Sequence, residues 1–189
     1  MASDVGIANA ALSKLGQSPI TAFNENSKAA RLANERFADL RDELLFRHPW
    51  NFARKRDLLA ASATAPAWGF TAAYPVPADY IRMYEVNGED EETGKWKVED
   101  GSVVTDLAAP LEVLYVYQVT DASKMSAGFR EALASVLAAD WAEDLTGDDN
   151  VAQRMDGLAR IAVAQARSND GQEGIPDRFE ADEWLAARL

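Results

Sequence analysis

The hydrophobic period of this chain changes twice, and those two changes constrain its fold more than any other feature. Up to Trp50, apolar residues recur every three or four positions. From Trp50 to Val119 they alternate or run together between proline- and glycine-bearing turns. Beyond Ser126 the helical spacing returns. A chain of 189 residues ordered in this way is long enough for one domain with an embedded subdomain.

The first helical stripe is Val5, Ala8, Leu12 and Leu15, with Ser3 or Asp4 as cap and Gly16 as stop. The second is Ala29, Ala33, Phe37, Leu40 and Leu44, opened by Asn26 or Ser27. Pro49 closes it, because the residue before proline is driven out of the helical region. Asn51–Arg54 then begins an extended stretch. Tyr80–Val86 and Leu111–Val119 read as strands, the second as a central one, and Lys95–Asp106 as a hairpin turning on Asp100-Gly101. Phe129, Leu133, Val136, Leu137 and Trp141 form a third helix from Ser126 to Gly147. Val151, Met155, Leu158 and Ala162 form a fourth, with Asn150 and Gln153 in capping-box spacing and Asn169-Asp170-Gly171 as its end. The expected architecture is α+β. Residues 1–50 and 120–171 make a four-helix bundle, residues 51–119 a small antiparallel β-sheet inserted between the helix pairs, and residues 172–189 an extended C-terminal tail.

Composition removes whole classes of chemistry. With no cysteine, a disulfide framework, a thiolate zinc site and a cysteine nucleophile are excluded, and with one histidine, so is any multi-histidine metal centre. No cofactor is called for. The formal charge is -12 and the pI about 4.5, a poor match to the Lys/Arg contacts that nucleic-acid binding requires. The charge is uneven: residues 1–60 sum to +2 and residues 61–189 to -14. The N-terminus has neither the basic nor the apolar region of an export signal. The longest uncharged run, Leu58–Ala78, is broken by Pro66, Gly69, Pro75 and Pro77, so it reads as loop and short strand, with no membrane contact.

No motif in the chain carries an enzyme signature. Gly88–Lys95 imitates a phosphate loop but has the wrong spacing, and Trp96 stands where a magnesium-binding hydroxyl belongs. Its acids Glu89, Asp90, Glu91 and Glu92 would repel phosphate, and they read as a solvated loop. Asp144–Asn150 lacks the calcium-loop spacing. A Ser-His-Asp arrangement would have to use His48. In His48-Pro49-Trp50 that histidine reads as structural, at the corner between helices and sheet, with Trp50 buried. Arg54-Lys55-Arg56 is a basic triplet that suits either a contact with phosphate or acidic protein, or the solvated face of a strand.

Three segments taken together carry a resemblance. They are Ile7–Gly16 with Pro19-Ile20; Ser27–Arg31 leading to Arg41–Leu45 and His48–Ala53; and Tyr74-Pro75-Val76-Pro77-Ala78-Asp79-Tyr80-Ile81-Arg82. In this order and spacing the chain resembles the head-to-tail adaptor proteins of tailed bacteriophages, the tail tubular protein A group. Phe129–Leu133 and Leu145–Asp148 fall where that group has its second helical pair. The resemblance implies a virion structural protein without catalytic activity, made in the bacterial cytoplasm and placed at the head–tail junction. It implies a homo-oligomeric ring, a dodecamer, joining the portal protein to the tail nozzle or the next connector. DNA would pass through without specific binding, along a wall whose acids repel phosphate. The C-terminal segment would grip the portal, through Ile175, Phe179, Trp184, Leu185 and Leu189. The alternatives are an assembly chaperone or binding module, and a small tail-associated hydrolase.

Overall fold

A computed structural model describes residues 2–173. Four α-helices stand in chain order: α1 (Asp4–Lys14), α2 (Lys28–Phe46), α3 (Ala127–Thr146) and α4 (Asp149–Glu173). Six strands lie between α2 and α3: β1 (Arg54–Leu59), β2 (Ala72–Pro75), β3 (Tyr80–Val86), β4 (Trp96–Glu99), β5 (Ser102–Thr105) and β6 (Leu111–Tyr117). The architecture is α+β.

Three of the helices start on a serine, for one reason. The hydroxyls of Ser3, Ser27 and Ser126 accept from the amides three residues on, at 3.0, 3.1 and 3.2 Å, which satisfies an otherwise orphaned donor. α3 ends on Gly147 at φ 65°, with its N–H donated to the carbonyl of Glu143. α4 begins at Asp149, two residues before the capping-box spacing suggests, because the Asp148 carboxylate takes the Asn150 amide at 2.9 Å. α4 also runs through Asn169-Asp170-Gly171 to Glu173. The turn propensity of those residues is overridden by what Asp170 binds. The fourth stripe is rotated from its expected setting: Met155, Ala159 and Ala166 are buried, while Leu158 is half exposed.

The β region is two three-stranded antiparallel sheets rather than one, ordered β1-β6-β3 and β2-β5-β4. Asn51–Ala53 is a 3₁₀ turn, closed by the Ala53 amide on the Trp50 carbonyl, and the extended chain starts only at Arg54. The β4–β5 hairpin turns on Asp100 (φ 45°) and Gly101 (φ 66°), the paired positive φ of a two-residue turn. β6 is the central strand of its sheet, and its alternation serves two cores. Leu111, Val113 and Tyr115 join Tyr74, Trp96 and Val103 between the sheets, while Val116 belongs to the helical core.

α3 is the helix on which the other three pack. Its large side chains Phe129, Leu133, Leu137 and Trp141 are buried, and so are Ala132, Ala134, Ala138 and Ala142 between them. The small residues let a second helix approach closely: a Cβ added at Gly128 would lie 3.5 Å from the Ala166 backbone. Across this packing Arg36 of α2 forks onto Asp140 of α3 at 2.8 and 3.1 Å. Among the described residues no helix is long and apolar enough to cross a membrane.

Since α3 carries the other helices, its cap has a measurable weight. Ser126→Ala is expected to lower the unfolding free energy by about 1 kcal/mol, read from the urea midpoint at unchanged slope.

Candidate functional site

The chemistry-bearing side chains gather where helices and sheets join. α2 stops at Phe46, and His48-Pro49-Trp50 turns the chain toward β1. Trp50 is fully buried. Its indole N–H donates to the Leu44 carbonyl at 3.0 Å, and its ring meets Phe129 edge-on at 5.0 Å. Phe52 also packs edge-on against Phe129 at 5.0 Å, and the His48 ring stands edge-on to Trp50 at 4.8 Å. Such aromatic pairs add about 0.5–1.5 kcal/mol each beyond their buried area.

The corner is tied to α4 by Asp170, which is 3% exposed. Its Oδ1 accepts from the Asn51 amide at 3.0 Å and its Oδ2 lies 3.1 Å from His48 Nε2. Asn51 Nδ2 returns a bond to the Asp170 carbonyl at 2.6 Å. A buried carboxylate is tolerated only when hydrogen bonds replace its hydration, and these do so. Among the described residues no hydroxyl is bonded to the His48 ring. The aspartate meets the nitrogen that a serine would need in a triad whose other nitrogen is held by acid.

A second junction lies on the sheet. Asp79, just before β3, accepts from Lys55 Nζ at 2.8 Å and from the Tyr115 hydroxyl at 2.9 Å, while its carbonyl takes the Gln118 amide at 2.7 Å. Burial works to raise this carboxyl. The bonds from Lys55 and Tyr115 outweigh it and hold Asp79 below its ordinary value. The bond that Lys55 donates to Asp79 in turn pushes its own ammonium up. At the other end of the chain Asn9 clamps the loop after α1, giving and receiving a bond with Ile20 at 2.9 and 2.8 Å.

The basic triplet does not act as one patch. Neighbouring residues of a strand point to opposite faces. Lys55 pairs in register with Tyr115 and turns toward Asp79, whereas Arg54 and Arg56 pair with Val116 and Leu114 on the opposite face, the one that meets the helical core at Val116. The acidic loop sits between β3 and β4. Glu89 is ion-paired with Lys95, its carbonyl accepts from the Trp96 indole at 3.0 Å, and Asp90, Glu91 and Glu92 are exposed. Among the described residues no cluster of three or more His, Asp or Glu is arranged to hold a metal. The tail positions Ile175, Phe179, Trp184, Leu185 and Leu189 lie outside the described residues.

Asp170 is the functional residue that sequence reasoning missed, because its neighbours read as a helix end. The signal was present: Met155, Ala159, Ala166 and Asp170 are spaced four, seven and four, so Asp170 continues the buried stripe. Compared with family models and with curated proteins, the chain matches none.

Asp170→Ala is expected to cost about 1–3 kcal/mol, because it strands the Asn51 amide, and Trp50→Ala about 3–5 kcal/mol; both are read by chemical denaturation. Because the Asp79 carboxyl is lowered in the fold, its contribution is present at neutral pH and fades as the pH drops below about 4. In Asp79→Asn the acid limb of the stability profile should therefore be shallower.

Proposed function

We propose that this chain is a head-to-tail adaptor of a tailed bacteriophage, a structural protein that assembles as a ring between portal and tail. The observation that carries the reading is where the family-like segments fall. Each supplies a joint of the fold: Asn9 of the first segment clamps Ile20, His48 and Asn51 of the second bind Asp170, and Asp79 of the third holds Lys55 and Tyr115. Side chains at these positions hold helices and sheets in register, which suits a connector under mechanical force better than a catalyst.

In this reading the four helices act as one bundle around α3, and the paired sheets are the insertion between its halves. Copies meet through heterologous contacts, which close into a ring when the rotation permits. The acid excess of residues 61–189 keeps a passing duplex from binding the wall, because phosphate attachment needs cations. Residues 172–189 grip the portal, and repetition around the ring turns a weak grip into a firm one.

Light scattering of the purified chain, alone and with its cognate portal protein, tests the proposal. The expected result is a discrete complex of about a dozen copies on the portal, lost when residues 175–189 are removed from a chain that still folds. A monomer indifferent to the portal would favour the chaperone reading, and hydrolysis of a cell-wall or nucleic-acid substrate by that monomer would favour the enzyme.

A further inference from the structure

Two faces of this chain are left uncovered, and their chemistry is complementary. The first belongs to the β1-β6-β3 sheet. Val116 of β6 turns toward the helical core. Two residues away on the same face, Leu114 lines an open groove of about 490 Å³ instead. Arg56 and Glu85 flank Leu114 across the sheet, and Leu58 stands opposite Glu112. Asp57, Glu85 and Glu112 line this groove, with Arg56 as its one cation. Leu58 is 62% exposed. None of the three carboxylates has an ion-pair partner among the described residues.

The second belongs to α4. This helix packs along α3 and buries Met155, Ala159 and Ala166 there. Arg154, Leu158, Ile161 and Gln165 follow one another at spacings of four, three and four, which sets them on one helix face. All four are exposed, Leu158 at 49% and Ile161 at 56%. The stripe holds no carboxylate: Asp156 lies to its side, paired with Arg160. Arg154 has no ion-pair partner among the described residues. An apolar face with a cation and no acid thus matches an apolar groove with acids in excess. Within one copy the two do not cover each other, since Leu58, Leu158 and Ile161 all stay exposed.

We propose that the α4 face of Arg154, Leu158 and Ile161 docks in the Leu58–Leu114 groove of a second copy of this chain, its leucine and isoleucine on the apolar floor and its arginine among Asp57, Glu85 and Glu112. The inference rests on the ring reading and deepens it, by naming the two surfaces through which neighbouring copies meet. Charge selects this pairing, because groove on groove would bring carboxylates together and α4 on α4 would bring arginines together. The two surfaces differ, so the contact is heterologous, and each copy keeps one of each free for the next.

Sedimentation velocity of the full chain over a concentration series tests the pairing. The wild type is expected to associate as concentration rises. Arg154→Glu with Leu158→Glu spoils only the α4 face, and Leu58→Glu only the groove. All three positions are exposed, so both variants should keep the wild-type circular dichroism. Each alone should self-associate at least about tenfold more weakly. Mixed in equal amounts, the two variants should form a dimer that grows no further, because one intact groove then meets one intact face. A wild type that stays monomeric up to about 1 mM would overturn the proposal. So would variants that associate as the wild type does, or a mixture that forms no dimer. None of these results decides the ring reading, which the portal complex tests separately.

Discussion

One buried carboxylate holds the end of the described chain to its middle. Asp170 sits in the last turns of α4, and its partners, His48 and Asn51, lie at the first bend out of α2. All six strands and α3 lie between them in the chain, so this joint ties the last helix back to the point where the chain leaves the helices for the sheets. The aspartate accepts burial because a backbone amide and an imidazole nitrogen take the place of its water. A helix that would otherwise fray at Asn169-Asp170-Gly171 is held straight through them. Beside this joint Phe129 and Trp50 pack edge-on at 5.0 Å.

Central elements play the matching part in the interior. α3 touches every other helix, and it does so by alternating large side chains with alanine, so that α4 lies close on a small-residue face. β6 performs the equivalent task for the sheets by feeding one apolar cluster from one face and the helical core from the other. Between these two elements, Asp79 ties β1 and β6 to the entry of β3. The polar joints lie at the ends of elements and the apolar clusters along their lengths.

Much of this was legible in the sequence, and the rest was hidden for physical reasons. Helix starts at Ser3, Ser27 and Ser126, the Gly147 stop, the Asp100-Gly101 hairpin and the strand limits of Tyr80–Val86 are local chemistry, fixed by caps and by φ preferences. Sheet partition is not local. Alternation tells which face of a strand is buried but not which strand lies beside it, so two sheets read as one. Asp170 failed for the opposite reason: its local preference for a turn was real, and a tertiary bond overrode it. The rotation of the α4 stripe away from Leu158 has the same origin, since α3 offers α4 a face suited to alanine rather than leucine. The basic triplet split because a strand sends successive residues to opposite faces, which a count of charges ignores.

The functional account rests on these joints serving assembly. Its most direct test is the particle itself. Cryo-electron microscopy of mature virions, with mass spectrometry of their proteins, locates the chain and counts it. The account predicts density for this fold in a ring between portal and tail, at about a dozen copies per particle. Virions that lack the chain, or that carry it away from the head–tail junction, would contradict it.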